Sequence, residues 1–134
     1  MKNAKVILVE GNAIFQNVLK SFIENETCCE IIAVTQNSES CLQMKNIDEA
    51  NIVFLDIDFD LEACKAFESA LDLLTKYPHL KLIAISSYNT KLLKELLLDV
   101  GFKGFVLKSS FYKDIVPVLE HVLYKDTVIQ ILKA

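Results

Sequence analysis

Residues Asn51–Asp56 read NIVFLD, and this stretch decides the fold. Ile52, Val53, Phe54 and Leu55 are apolar without a break, and the run stops on a carboxylate. Strict alternation would mark a strand with one wet face, whereas an unbroken run marks a strand covered on both faces. Strands of that kind belong to parallel sheets sandwiched between helices.

Working outward, the same grammar recurs. Lys5–Glu10 (KVILVE) is a β-branched apolar run ending in acid, and Gly11 and Asn12 follow it as a turn and helix N-cap. Ile14, Phe15, Val18, Leu19, Phe22 and Ile23 then recur at helical spacing, a stripe that fades near Asn25. Cys29–Thr35 (CEIIAVT) is a second strand, and Ser38 to about Ile47 a weaker helix with Cys41, Leu42 and Met44 inward. After NIVFLD, the spacing of Cys64, Phe67, Ala70, Leu71 and Leu74 makes a helix closed by Tyr77 and Pro78. Leu80–Ser86 (LKLIAIS) is the fourth strand, Thr90–Val100 a leucine-rich helix ending at Gly101, and Gly104–Leu107 a short fifth strand before Lys108. Pro117 lacks an amide hydrogen, which places it in the first turn of a last helix starting near Asp114, with Ile115, Val118, Leu119 and Val122 as its buried stripe.

Five strands alternating with five helices predict an α/β fold: a doubly wound, five-stranded parallel sheet of the flavodoxin-like (βα)5 kind. At 134 residues, 52% hydrophobic, with three Gly and two Pro, the chain suits one compact domain and excludes two full domains or a disordered array. We expect the domain over residues 1–124, and residues 125–134 (KDTVIQILKA) as an extension or the start of a linker, with Thr127–Leu132 as an extra strand or linker.

The net charge is −4, and all 14 basic residues are lysine. Without arginine forks or a dense lysine run, direct nucleic-acid binding by this chain has little electrostatic basis. The apolar runs fall far short of the roughly 20 residues a membrane-spanning helix needs, and no charged-then-apolar leader opens the chain, so a cytoplasmic protein without a membrane partner is expected. Cys28, Cys29, Cys41 and Cys64 lack zinc-type spacing and read as small buried hydrophobes in a reducing compartment. His79 follows Pro78 in a loop and His121 lies on a helix, and neither is assigned a role.

In an open parallel sheet, ligands bind beyond the carboxyl ends of the strands where strand order reverses, here at strands one and three. Those ends carry Glu10, Asp56, Ser86 and Lys108, from strands one, three, four and five. An acid pair, a hydroxyl and an ammonium therefore converge at one edge. A carboxylate attacks a phosphoryl group poorly because both are anionic, so positive charge must be placed on the transferring oxygens. Lys108 and a divalent cation would provide it, and Ser86 would donate to a phosphoryl oxygen.

Over about residues 4–124 the chain resembles the receiver domain of two-component response regulators. The resemblance rests on IVFLDIDF, LIAISSY and GFKGFVLKSS, the last closest in wording to receivers that precede helix-turn-helix DNA-binding domains. It implies a phosphoprotein of a phosphorelay, with Asp56 as phosphoacceptor, Ser86 and Lys108 as its partners and Phe105 as the switching aromatic. A sensor histidine kinase or phosphotransfer protein is the implied partner, a homodimer is left open, and the chain would be a switch and not a turnover enzyme. Mg²⁺ is the implied cofactor, held by Glu10, Asp56 and the backbone carbonyl of Asp58. Receivers usually carry two adjacent acids in the first strand, and here Gly11 follows Glu10, so Mg²⁺ binding is expected to be weakened.

The alternative is a degenerate receiver that works as a phosphorylation-independent binding module. More remote is a haloacid-dehalogenase-like phosphatase, suggested by FLDID with Asp56 as nucleophile and Asp58 as acid/base. Its later acidic pair is missing, and two βα units precede the strand instead of none. Asp56, Asp58 and Asp60 also begin like a calcium loop, but Leu61 stands in place of glycine and Phe67 in place of the bidentate glutamate, which excludes that reading.

Overall fold

A computed structural model describes residues 3–58 and 65–125. Its strands are β1 (Lys5–Val9), β2 (Glu30–Thr35), β3 (Ile52–Asp56), β4 (Lys81–Ser86) and β5 (Gly104–Leu107). They form one sheet in the order β2-β1-β3-β4-β5, with every pairing parallel. The described helices are α1 (Ala13–Glu26), α2 (Ser38–Leu42), α3 (Lys65–Lys76), α4 (Lys91–Val100) and α5 (Phe111–Glu120). This is the doubly wound, flavodoxin-like arrangement expected from the unbroken apolar runs.

Alternate residues along each strand supply two cores. Ile7, Val9, Val53, Leu55, Leu82 and Ala84 face one layer with Ala70, Leu73 and Leu97. Val6, Leu8, Ile52, Phe54, Ile83 and Ile85 face the other with Leu19, Ile23, Ile115 and Leu119. Burial on both faces is what NIVFLD encodes: all of β3 is buried, and its strands flank it on both sides. The edge strand β2 is only half-buried over Ile31–Thr35.

Helix termini are set by local chemistry. The Asn12 side chain accepts from the Phe15 amide at 2.9 Å and caps α1. Thr90 caps α4 in the same way at 3.2 Å. Gly101 ends α4 at φ +116°, a left-handed conformation that a side chain would strain.

Several expectations are corrected, beginning with Cys28, which is exposed and not buried. The α1 stripe is narrower than its spacing suggests: Leu19 and Ile23 are buried, but Ile14 is 78% exposed and Val18 lies outside the core. Phe15 and Phe22 turn instead toward Phe111 of α5, meeting its ring edge-on at 5.6 and 5.4 Å. In α3 the core face is Ala66, Ala70 and Leu73, and Leu71 is half exposed; Cys64 lies outside the described residues. The second helix stops at Leu42, with a separate 3₁₀ turn at Ile47–Glu49.

Pro117 lies inside α5, not in its first turn, because the helix starts at Phe111 after a 3₁₀ turn over Lys108–Ser110. That early start is held by the Phe111 ring contacts and by Ser110 Oγ donating to Asp114 Oδ2 at 3.0 Å. The helix continues as a π-helical turn over His121–Lys125, and Thr127–Leu132 lies outside the described residues.

Candidate functional site

The carboxyl ends of β1, β3, β4 and β5 bring the four chosen side chains together. Glu10 follows β1, is fully buried, and accepts the Asn12 amide on Oε2 at 2.9 Å. Gln16 of α1 holds the same turn by donating to the Glu10 carbonyl at 3.0 Å. Asp56 ends β3 at 3% exposure, and its Oδ1 accepts the Asp58 amide at 2.9 Å. Ser86 ends β4, fully buried, and Lys108 opens the 3₁₀ turn after β5.

Lys108 is the hub. Its ammonium lies 3.3 Å from Asp56, 3.7 Å from Glu10 Oε1 and 3.4 Å from Asp58 Oδ2. It also sits over the Phe15 ring, 5.5 Å from the centroid, which gives its partly buried charge an aromatic face. Burial alone would lower the lysine pKa, but the attraction of Asp56, Glu10 and Asp58 outweighs it and holds the amine above its ordinary value.

Glu10 shows the opposite balance. Burial, reinforced by nearby Asp56, raises its pKa from 4.5 to about 7, against the lowering pull of the Asn12 amide and Lys108. Three carboxylates around one ammonium cannot all be neutralised by it, and the burial of Glu10 favours its protonated form.

In the receiver reading of the sequence, Asp58 contributes only a backbone carbonyl. The structure brings its side chain into the cluster as well: Oδ1 accepts the Ser86 hydroxyl at 2.6 Å and Oδ2 accepts the Ser87 amide at 2.7 Å. The signal available was the D-x-D spacing of FLDID, but only the fold shows that the second aspartate reaches the end of β4. Phe105 is buried at 6% exposure, with the Lys94 ammonium 5.4 Å over its ring. A separate groove of about 520 Å³ between α1 and α5, lined by Asn17, Val18, Phe22 and Phe111, contains none of these site residues.

The donor set suits a hard divalent cation. Carboxylate oxygens are the ligands Mg²⁺ prefers, and it needs only one or two of them with waters completing its shell. Glu10 Oε1 is buried with no hydrogen-bond partner, an oxygen that a cation would satisfy. Among the described residues no three His, Cys, Asp or Glu side chains converge tightly enough to enclose an ion by themselves.

The fold is thus a parallel α/β sheet that gathers an acid cluster, a hydroxyl and a lysine at its carboxyl edge. The chain belongs to the response regulator receiver domain family, whose model matches residues 6–120. Receivers of this family are regulatory switches, phosphorylation by a histidine kinase is their general function, and they generally bind Mg²⁺ at an acidic pocket. The phosphatase reading of FLDID is accordingly dropped.

Among relatives, the transcriptional regulatory protein DegU of Brevibacillus brevis is 19% identical over 104 residues, covering 78% of this chain and 43% of that protein. A LuxR-family two-component response regulator from Aurantimonas sp. SI85-9A1 superposes with a TM-score of 0.82 at 17% identity, covering 98% of this chain and 97% of the other. The RcsB response regulator of Salmonella typhimurium, in a structure described for its DNA interaction, gives a TM-score of 0.80 at 18% identity, covering 95% of this chain and 62% of that one. The chain thus spans less than half of DegU and about three fifths of RcsB. At such identities the structural matches establish the fold. No helix among the described residues is long and apolar enough to cross a membrane.

Proposed function

We propose that Asp56 is the phosphoacceptor of a cytoplasmic two-component switch, charged by a sensor histidine kinase or phosphotransfer protein. The observation that supports this reading is the Lys108 ammonium within 3.7 Å of Glu10, Asp56 and Asp58 at the sheet edge. A carboxylate oxygen of Asp56 attacks the phosphorus of a phosphohistidine. The P–N bond breaks, an acyl phosphate P–O bond forms, and the departing imidazole nitrogen retains the electron pair and takes up a proton.

Lys108 holds Asp56 in place and neutralises charge on the transferring oxygens, while Ser86 donates to the phosphoryl group once it is attached. Glu10, Asp56 and the Asp58 backbone carbonyl would hold Mg²⁺, which when bound supplies further positive charge at those oxygens. The added −1.5 to −2 or so of charge then biases the loop after β4, with Phe105 filling space that Ser86 leaves. The receiver runs through residue 124 in this reading, and residues 125–134 lead out of it. Direct nucleic-acid contact is not part of the proposal, and a homodimer is a further partner to test.

The test is intact mass after incubation with acetyl phosphate and Mg²⁺. One added phosphoryl unit is expected, abolished by Asp56→Asn. Failure of every small phosphodonor would overturn the proposal in favour of the second reading, a phosphorylation-independent binding module, which Gly11 in place of an acid favours.

A further inference from the structure

The acceptor capacity of Asp58 is spent on one set of donors. Its Oδ1 takes the Ser86 hydroxyl at 2.6 Å, and its Oδ2 takes the Ser87 amide at 2.7 Å and faces the Lys108 ammonium at 3.4 Å. Of these donors Lys108 is also bonded to the Asp56 carboxylate at 3.3 Å, and Asp58 is tied to the same carboxylate through its own amide, which donates to Asp56 Oδ1 at 2.9 Å. With Ser86 at the end of the neighbouring strand β4, an anionic group attached to Asp56 would draw on the same Ser86 hydroxyl and Lys108 ammonium, and on the Ser87 amide beside that hydroxyl.

A hydroxyl and an amide each carry a single hydrogen, so neither fully serves two acceptors at once. The lysine has three hydrogens and can be shared. Competition therefore falls on Ser86 and Ser87. The elements around Ser86 are packed to match its bond to an anion. Ser86 is buried and turned to an anion, the Tyr88 amide donates back to Ser86 Oγ at 3.0 Å, and Phe105 is packed inside.

Resting on the reading of Asp56 as phosphoacceptor, we propose that the Asp58 carboxylate is a built-in stand-in for the phosphoryl group: it holds the Ser86, Ser87 and Lys108 donors in the unphosphorylated chain and must release the Ser86 hydroxyl and the Ser87 amide, while sharing Lys108, for phosphorylation. The resting domain is therefore already partly switched, and Asp58 is a positioning residue that sets how much further phosphorylation can shift it.

Beryllofluoride, an analogue of the attached phosphoryl group, is the probe. Its affinity is measured by NMR titration in Mg²⁺ buffer for the wild-type chain, Asp58→Ala, Ser86→Ala and the double variant, with Asp58→Asn as a second background. Asp58→Ala is expected to tighten binding about fivefold or more, the equivalent of one recovered hydrogen bond. Ser86→Ala should cost about fivefold more affinity in the Asp58→Ala background than in wild type, because only there is the hydroxyl not already committed. Simple loss of a negative charge would also tighten binding but would leave the Ser86→Ala cost equal in both backgrounds. Binding with equal costs overturns this inference alone, and no binding by any form overturns the phosphoacceptor reading beneath it. In the ligand-free chain, the Ser87 amide proton should move upfield in Asp58→Ala, and an unmoved signal also overturns the inference.

Discussion

The ammonium of Lys108 and the carboxylate of Asp56, 52 residues apart in sequence, meet at 3.3 Å at the carboxyl edge of the sheet. Asp56 is almost fully buried, and Glu10 beside it completely so. Removing the cation would leave these carboxylates without compensation in a poorly solvated site. Lys108→Met, which keeps the apolar stem, should cost about 3 kcal/mol in urea unfolding at pH 7. Asp56→Asn should be neutral or stabilising, because three carboxylates share one ammonium. A harmless Lys108→Met would contradict the role of Lys108 as hub.

Glu10 makes stability depend on pH with a definite sign. Its folded pKa of about 7 exceeds 4.5, so between those values the folded chain binds the proton more tightly than the unfolded one. The associated stability is fully present below pH 4.5 and is lost as pH rises through 7, on the order of 3 kcal/mol across the interval. Glu10→Gln should flatten this part of the profile in chemical denaturation series, and a parallel slope in wild type and variant would exclude Glu10 as its origin.

Gly11 is not in the left-handed backbone region, where Gly101 stands alone among the glycines. A side chain there needs no change of φ. Gly11→Asp should therefore fold and restore a carboxylate to the Mg²⁺ site, raising affinity by about tenfold in calorimetric titration, a gain of about 1.4 kcal/mol. Unchanged Mg²⁺ affinity would show that the missing acid is not what limits metal binding.

Gly104 permits α5 to lie against β5. A Cβ there would stand 2.6 Å from Val118 Cγ1 and 3.2 Å from Ile83 Cγ1. Both neighbours are buried, so there is little room to yield. Gly104→Ala should cost about 1–3 kcal/mol by overpacking, and Val118→Ala in the same chain should recover part of that. Thermal unfolding of the pair of variants checks it.

Much of the fold was legible because unbroken apolar runs and helical spacing are local properties. The position of α5 was not, since the rule that keeps proline in a first turn was outweighed by Phe111 packing on Phe15 and Phe22. The α1 stripe was overread for a related reason: spacing shows that Ile14 and Val18 can share a face, but not that α5 leaves that face uncovered. Ala66 and Leu73 were missed in α3, where a few small side chains against the sheet outweigh the larger Leu71.

By itself the sequence determined that strands buried on both faces alternate with helices, and that Glu10, Asp56, Ser86 and Lys108 close four of those strands. Strand endings are read from the chain without knowing its neighbours. Only the tertiary structure decided which oxygen faces which donor. The β2-β1-β3-β4-β5 order and parallel register carry Asp58 to Ser86 across 28 residues and Lys108 into three carboxylates. Hydrogen bonds and charge pairs depend on distances of a few ångströms between remote segments, which no local periodicity encodes.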